Sequence, residues 1–229
     1  MEHQTAILLF ANSSAEEIRK KPLLKSAGLF DELNRLTLST VKKTGIPYYH
    51  YSEKEQQGAS FGERFANAIA AVFELGYDQV IAIGNDSPQL TSISIGKAAE
   101  AISRDRFVIG PSLDGGFYLL GLHKEHFNRQ DFLALAWQTK ELRAELLELL
   151  SKKAFTSYSL PPLRDLDTRQ DLVLCSKQGH LLPIRVFRLI QLLLSAGKQL
   201  ICYLQPRAIS ISLEAPLNKG SPSILHFPF

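Results

Sequence analysis

The most constraining feature of this chain is an alternation. Short apolar runs recur between segments whose apolar residues fall at helical spacing. Residues 5–11 form a continuous apolar run of the kind a central parallel strand shows when it is buried on both faces. Leu29, Leu33, Leu36 and Thr40 then fall on one helical face, and Gly45 stops that helix. Residues 46–51 are β-branched and aromatic and read as a second strand. Phe61, Phe65, Ile69 and Phe73 again share a helical face, with Gly76 just past its end. Residues 80–83 form a third apolar strand, and a helix is expected over 91–103. Two short runs at 107–109 and 117–122 follow, an amphipathic helix over 141–153, and a strand over 155–160 that Pro161 and Pro162 end. Strands alternating with helices predict an α/β fold: a mainly parallel sheet with helices on both faces, in three Rossmann-like layers.

The remainder, from about Gly179, has a different character. An apolar helix over 184–195 and two strands over 199–204 and 208–213 are expected, followed by a Pro-rich end. This divides the chain into a domain at 1–178 and an appendage at 179–229. Ile184, Val186, Phe187, Leu189, Ile190, Leu192, Leu193 and Leu194 spread apolar surface around most of that helix. A helix apolar on most sides needs cover on most sides, and a homodimer interface is the expected cover.

Composition narrows the functional classes. Twenty-six Lys and Arg against 23 Asp and Glu leave a net charge of +3, without the concentrated basic face of a nucleic-acid binder. Cys175 and Cys202 form no CxxC pair, so neither a disulfide framework nor a cysteine metal site is expected, and a cytoplasmic location is the default. No apolar run approaches the roughly 20 residues that span a bilayer.

Ligands of an open parallel sheet bind beyond the carboxyl ends of its strands. Asp86, in Gly84-Asn85-Asp86-Ser87-Pro88, stands at such an end. A carboxylate there suits a divalent cation that bridges diphosphate oxygens; it also suits the cap of a turn. Asp114-Gly115-Gly116 is either a tight hairpin turn or a place where backbone approaches a ligand. Thr168 with Asp171 forms a capping-box variant, which leaves Asp165 and Asp167 on the connection before a helix. They are candidates to complete a metal site with Asp86, or partners of Arg164 and Arg169. Gln57 and Arg64 flank a helix start, which either receives a phosphate or a base edge or, as is commoner, carries a solvated pair of Glu63 and Arg64. Arg19, Lys20, Lys21 and Lys25 either grip phosphate or form a solvated face. Trp137 either stacks on a ligand or anchors a core. His123 and His126 have a spacing usable for a metal on a helix, although lone surface histidines are commoner.

Four segments occur in an order that resembles the selenodomain-associated transferase 1 family, a glycosyltransferase-like family with the GT-A fold. They are QGASFGERFANAIAAVF (57–73), GNDSPQLT (84–91), GPSLDGGFYLLGL (110–122) and LPPLRDLDTRQDL (160–172). The likeness covers most of 5–175 and extends more distantly to molybdenum-cofactor nucleotidyltransferases and phospholactate guanylyltransferase. It implies the nucleotide-diphospho-sugar transferase fold and a metal-dependent transferase. Its ligands would be a nucleotide-sugar or nucleoside triphosphate and a small acceptor. Asp86, with Asp165 or Asp167, would hold Mg²⁺ or Mn²⁺, and Asp114 would orient or deprotonate the acceptor hydroxyl. Asn12, Gln57, Arg64, Asn85, Gly115 and Gly116 would surround the nucleotide. The family's Pro-Gly…Lys-Thr-Arg loop after the first strand is replaced here by FANSSAEEIRKKPLLKSAG (10–28). A weak grip on free nucleotide, or binding without turnover, is the corresponding expectation.

Overall fold

The computed structural model describes residues 4–21 and 26–204. In chain order the elements are β1 (Thr5–Phe10), α1 (Ser14–Lys20), α2 (Ala27–Lys42), β2 (Tyr48–Tyr51), α3 (Phe61–Glu74), β3 (Gln79–Ile83), α4 (Ser92–Ala101), β4 (Arg106–Pro111), β5 (Phe117–His123), α5 (Arg129–Leu133), α6 (Leu142–Lys152), β6 (Thr156–Ser159), α7 (Arg169–Lys177) and α8 (Ile184–Leu204). Local chemistry sets several boundaries. Ser60 and Glu63 form a reciprocal capping box that starts α3, and Thr168 with Asp171 does the same for α7. Gly76, at φ 96°, supplies the left-handed residue that ends α3.

The strands form one sheet of order β2-β1-β3-β5-β4-β6. β1 is parallel to β2 and β3, and β4 is parallel to β6, while β5 runs antiparallel to both of its neighbours. The two-residue periodicity of the strands explains why they read as continuous apolar runs. Ala6 and Leu8, Val80 and Ala82, Phe107 and Ile109, and Leu120 and Leu122 enter a core with α3, α5 and α6. The intervening Ile7 and Leu9, Ile81 and Ile83, Val108 and Leu119 enter a second core with α2 and α4. Both faces are therefore covered, and each fully buried Leu or Ile contributes roughly 1.5–3 kcal/mol.

A third cluster seats α8, whose length corrects one expected strand. α8 runs to Leu204, so 199–204 is helical where a strand was expected; the strand expected at 208–213 lies outside the described residues. Ile201 and Tyr203 carry strand propensity. However, no proline interrupts 184–204, and the single Gly197 costs only about 1 kcal/mol in a helix. Val186 and Ile190 are fully buried with Leu29, Phe30 and Leu33 of α2 and with Leu172 and Cys175 of α7. One face of α8 is thus covered within the chain. Ile184 and Leu192 lie on its exposed side, 60% and 65% exposed. Among the described residues no helix is long and apolar enough to cross a membrane.

Candidate functional site

Strand order reverses at β1, whose neighbours β2 and β3 lie on opposite sides of it. The crevice beyond its carboxyl end is where open α/β sheets take ligands. β1 delivers Asn12 to this end, and β3 delivers Asn85 and Asp86. Gly84 allows a close approach there, because a Cβ on it would lie 3.1 Å from Asp86 Oδ1. Since β5 is antiparallel, the turn that precedes it reaches the same end, and so does the segment after β6.

Backbone hydrogen bonds fasten these pieces together. The Leu163 amide donates to the Pro111 carbonyl at 3.1 Å, and the Leu113 amide donates to the Leu163 carbonyl at 3.1 Å. The Leu166 amide donates to the Asp86 carbonyl at 2.9 Å, which sets Asp165 and Asp167 beside Asp86. The Tyr118 hydroxyl donates to the Pro161 carbonyl at 3.0 Å. The Asp114 turn is pinned in the same way. Asp114 Oδ1 accepts from Ser112 Oγ at 2.6 Å and from the Gly116 amide at 2.9 Å. Gly115 sits at φ 104°, and a Cβ there would fall 2.4 Å from the Lys140 carbonyl oxygen. Asp114-Gly115-Gly116 is therefore a hairpin turn between β4 and β5, at the same end of the sheet as Asp86.

These residues surround a cleft of about 540 Å³. Asp86, Asp114, Asp165, Asp167, Asn12, Asn85, Arg64 and Gly116 all line it. Gln57 and Gly115 do not: Gln57 is exposed, its carbonyl accepting from Asn67 at 2.8 Å, and Gly115 packs against the Lys140 backbone. Asn85 is buried and donates to Asn34 Oδ1 at 2.5 Å; Asn34 in turn donates to the Asn12 carbonyl at 3.2 Å. Both asparagines thus brace the cleft from behind. The far wall is aromatic. Trp137 packs at 5.5 Å from Phe61, 5.1 Å from Phe65 and 6.2 Å from Phe117, and its indole N–H donates to the Phe132 carbonyl at 2.6 Å. Gly62 makes room for this ring, since a Cβ there would lie 2.3 Å from it. Trp137 is accordingly a core anchor that also faces the cleft.

The opposite wall is electrostatically dense. The Lys21 ammonium lies 2.6 Å from Asp167 Oδ1 and 3.4 Å from both Asp86 Oδ2 and Glu17 Oε2. Burial alone would depress its pKa, but the charges of Asp86, Asp167 and Glu17 outweigh this and raise it. Burial pushes the Asp165 carboxyl up to about 8; the Asp86 charge adds to the rise, and the hydrogen bond from Ser87 Oγ opposes it. Burial and the Asp86 charge also raise Asp167, against the pull of Lys21. Three carboxylates offer the hard oxygen donors that Mg²⁺ and Mn²⁺ prefer. Among the described residues, however, no three such side chains converge as a closed metal site. The ammonium of Lys21 stands where Asp86 and Asp167 would share a cation.

Lys21 was one of several cations in an unremarkable basic run, and nothing in the sequence singled it out. Buried Glu17 and Ser87 were missed as well; helical spacing from Lys21 at i−4 is the one local signal for Glu17. Arg164 pairs with Asp171 at 3.3 Å and not with the cleft carboxylates. His123 and His126 lie at the end of β5 and in the 3-10 turn after it, both buried, instead of on an exposed α-helix. His126 Nδ1 accepts from the His123 amide at 3.0 Å, and its Nε2 faces the Arg104 carbonyl at 2.8 Å. Their role is thus to close the end of the sheet.

Residues 49–139 match the profile of a family described as an uncharacterized protein conserved in bacteria (DUF2064). No curated protein matches the chain significantly. Among solved structures, the chain is similar to a protein proposed as a nucleotide-diphospho-sugar transferase from Desulfovibrio desulfuricans G20. The two share 22% identity and a TM-score of 0.75, over 86% of this chain and 97% of that one. A nucleotidyl transferase from Methanothermobacter aligns at 13% identity and a TM-score of 0.49, over 79% of this chain and 98% of that one. A cytidylyltransferase from Leptospira borgpetersenii aligns at 16% identity and a TM-score of 0.43, over 91% and 99%. The first likeness defines the class: this is the α/β, GT-A-like fold of nucleotide-diphospho-sugar transferases.

Proposed function

We propose that the protein is a metal-dependent transferase that moves a glycosyl or nucleotidyl group from a nucleotide-bound donor to a hydroxyl of a small acceptor. The observation that carries this reading is the convergence of Asp86, Asp165, Asp167 and Asp114 in one cleft at the switch point of the sheet. Asp86 with Asp165 or Asp167 would hold Mg²⁺ or Mn²⁺, whose contribution is to neutralise charge on the donor's phosphates.

Asp114 is suited to the acceptor. Its Oδ1 holds the turn, and among the described residues Oδ2 has no donor, so that oxygen is left for a ligand hydroxyl. As the acceptor oxygen bonds to the transferred group, its proton passes to Asp114, and the leaving group departs with the electron pair of the broken bond: the nucleotide in glycosyl transfer, pyrophosphate in nucleotidyl transfer from a nucleoside triphosphate. The Phe61, Phe117 and Trp137 wall excludes water and offers ring faces to a base or sugar. Arg64 and Lys140 also line the cleft and supply positive charge for the anionic donor.

Hydrolysis or transfer of labelled nucleotide-sugars and nucleoside triphosphates, with and without Mn²⁺, tests the reading. Metal-stimulated turnover that disappears in Asp86→Ala supports it; turnover indifferent to Asp86 refutes it. A second reading, a nucleotide- or sugar-phosphate-binding protein without turnover, is favoured by the altered segment after β1. It predicts ligand-induced thermal stabilisation with no product in the same assay.

A further inference from the structure

The carboxylate wall holds a cation of its own. Lys21 is the residue at the C-terminal cap of α1, and its amide donates to the Glu17 carbonyl at 2.7 Å. From there its side chain turns inward, 18% exposed, and reaches three carboxylates on separate elements: Glu17 of α1, Asp86 after β3 and Asp167 before α7. Carboxylate oxygens bind a divalent cation at about 2.0–2.6 Å. The ammonium already stands 2.6 Å from Asp167 Oδ1. A divalent cation shared by Asp86 and Asp167 would have to occupy nearly the same space, and the mutual repulsion of the two cations would expel one of them.

We propose that Lys21 is a built-in competitor for the cation position: the site accepts a divalent cation only when an anionic ligand draws the ammonium away. This rests on the transferase reading above. The exchange keeps Asp86 and Asp167 paired at both stages, and Glu17 retains the hydrogen bond from Asn12 at 2.7 Å when Lys21 leaves. In the ligand-free site Lys21 neutralises Asp86 and Asp167. In the loaded site the metal takes over that task, while Lys21, which also lines the open cleft beside Lys20, pairs with the phosphate of the ligand. Removing charged partners from half-buried carboxylates is unfavourable, so the two events are coupled: neither metal alone nor phosphate alone makes the exchange complete. Coupling of this kind is reciprocal, with metal and anion each tightening the other by the same factor.

The test is a Mn²⁺ titration of the full chain, read by electron paramagnetic resonance, which separates protein-bound from free Mn²⁺ and from its pyrophosphate complex. Without any anion, Lys21→Met and Lys21→Gln are expected to bind Mn²⁺ at least tenfold more tightly than wild type, while Lys21→Arg stays as weak as wild type. Inorganic pyrophosphate is expected to tighten Mn²⁺ binding at least tenfold in wild type and by a clearly smaller factor in Lys21→Met. Circular dichroism checks folding, and Lys21→Gln carries the comparison should Lys21→Met unfold. Equal Mn²⁺ affinity in wild type and both neutral variants, lost in Asp86→Asn, overturns the competitor role and leaves the metal-site reading standing. No Mn²⁺ binding in any variant, with or without pyrophosphate, overturns both.

Discussion

The carboxylates and the ammonium on the polar wall of the cleft are held in different ways. Asp86, Asp114, Asp165 and Asp167 sit on backbone that is hydrogen-bonded to neighbouring backbone: Leu166 to Asp86, Leu163 to Pro111, Leu113 to Leu163. Lys21 reaches the same place at the end of a seven-residue helix, and ion pairs alone fix its side chain there. The carboxylate wall is thus a product of the fold, while the ammonium depends on the charges it meets. A single substitution should therefore remove one of the two charges without disturbing the architecture that holds the other.

The largest effect should come from the carboxylate at the centre. Asp86→Ala is expected to abolish stabilisation by Mn²⁺ plus nucleotide while leaving the circular dichroism spectrum unchanged. A ligand at a hundred times its dissociation constant adds about 2.7 kcal/mol, roughly 5–10 °C in melting temperature for a chain of this size. That whole increment should vanish in a thermal-shift assay. An Asp86→Ala protein that still responds fully would mean that the fold's switch point is not where the ligand binds.

The comparison also explains what was legible in the sequence. Strand ends, Gly-containing turns and caps are local signals. For that reason the alternation, the Asp114 turn, the Thr168 cap and the position of Asp86 could all be read from spacing. Three carboxylates from distant segments converge because backbone pairing forces them to, and the order of the motifs hinted at this. The placement of Lys21 could not be read, since an ion pair across 65 or 146 residues leaves no periodicity behind. Gln199 to Leu204 misled for a related reason: its composition favours a strand, while its helical state continues the uninterrupted helix before it. The cover on α8 was equally out of reach, because the groove that receives it is made by α2 and α7 together.

The docking of α8 gives an effect of comparable size, on stability instead of ligand response. Ile190 is fully buried between α2 and α7, so Ile190→Ala should cost about 2–5 kcal/mol in chemical denaturation. Leu192, on the exposed side of the same helix, should change stability by less than about 0.5 kcal/mol when replaced by Ala. Equal costs at the two positions would show that α8 is not seated as described. Gly115→Ala should fall between them at roughly 1–3 kcal/mol, because its positive φ and the nearby Lys140 carbonyl both resist a Cβ. It should also lower activity more than its stability loss explains, since the same turn carries Asp114.

A smaller effect is one of pH, and it separates the carboxylates from the ammonium most cleanly. Asp165 has its carboxyl raised to about 8, by burial first and by the Asp86 charge next. Its ordinary value in an unfolded chain is about 3.9. The folded protein therefore holds this proton more tightly than the unfolded one. The stability this contributes is complete below about pH 4 and is lost as pH rises through 8. Asp165→Asn keeps an oxygen for Ser87 to donate to and removes the ionisation. Wild type and Asp165→Asn should melt at similar temperatures near pH 5, and the variant should be the more stable at pH 9. Partial solvent access and coupling to Asp167 and Asp86 reduce the gap to on the order of 1–2 kcal/mol, or about 2–8 °C. Saturating Mn²⁺ with pyrophosphate should close this gap in favour of the wild type, because a cation that arrives among the carboxylates turns the ionised Asp165 from a cost into a ligand. A variant that is no more stable than wild type at pH 9 without metal would mean that the carboxylate wall is already neutralised, and that Lys21 compensates all of it instead of part.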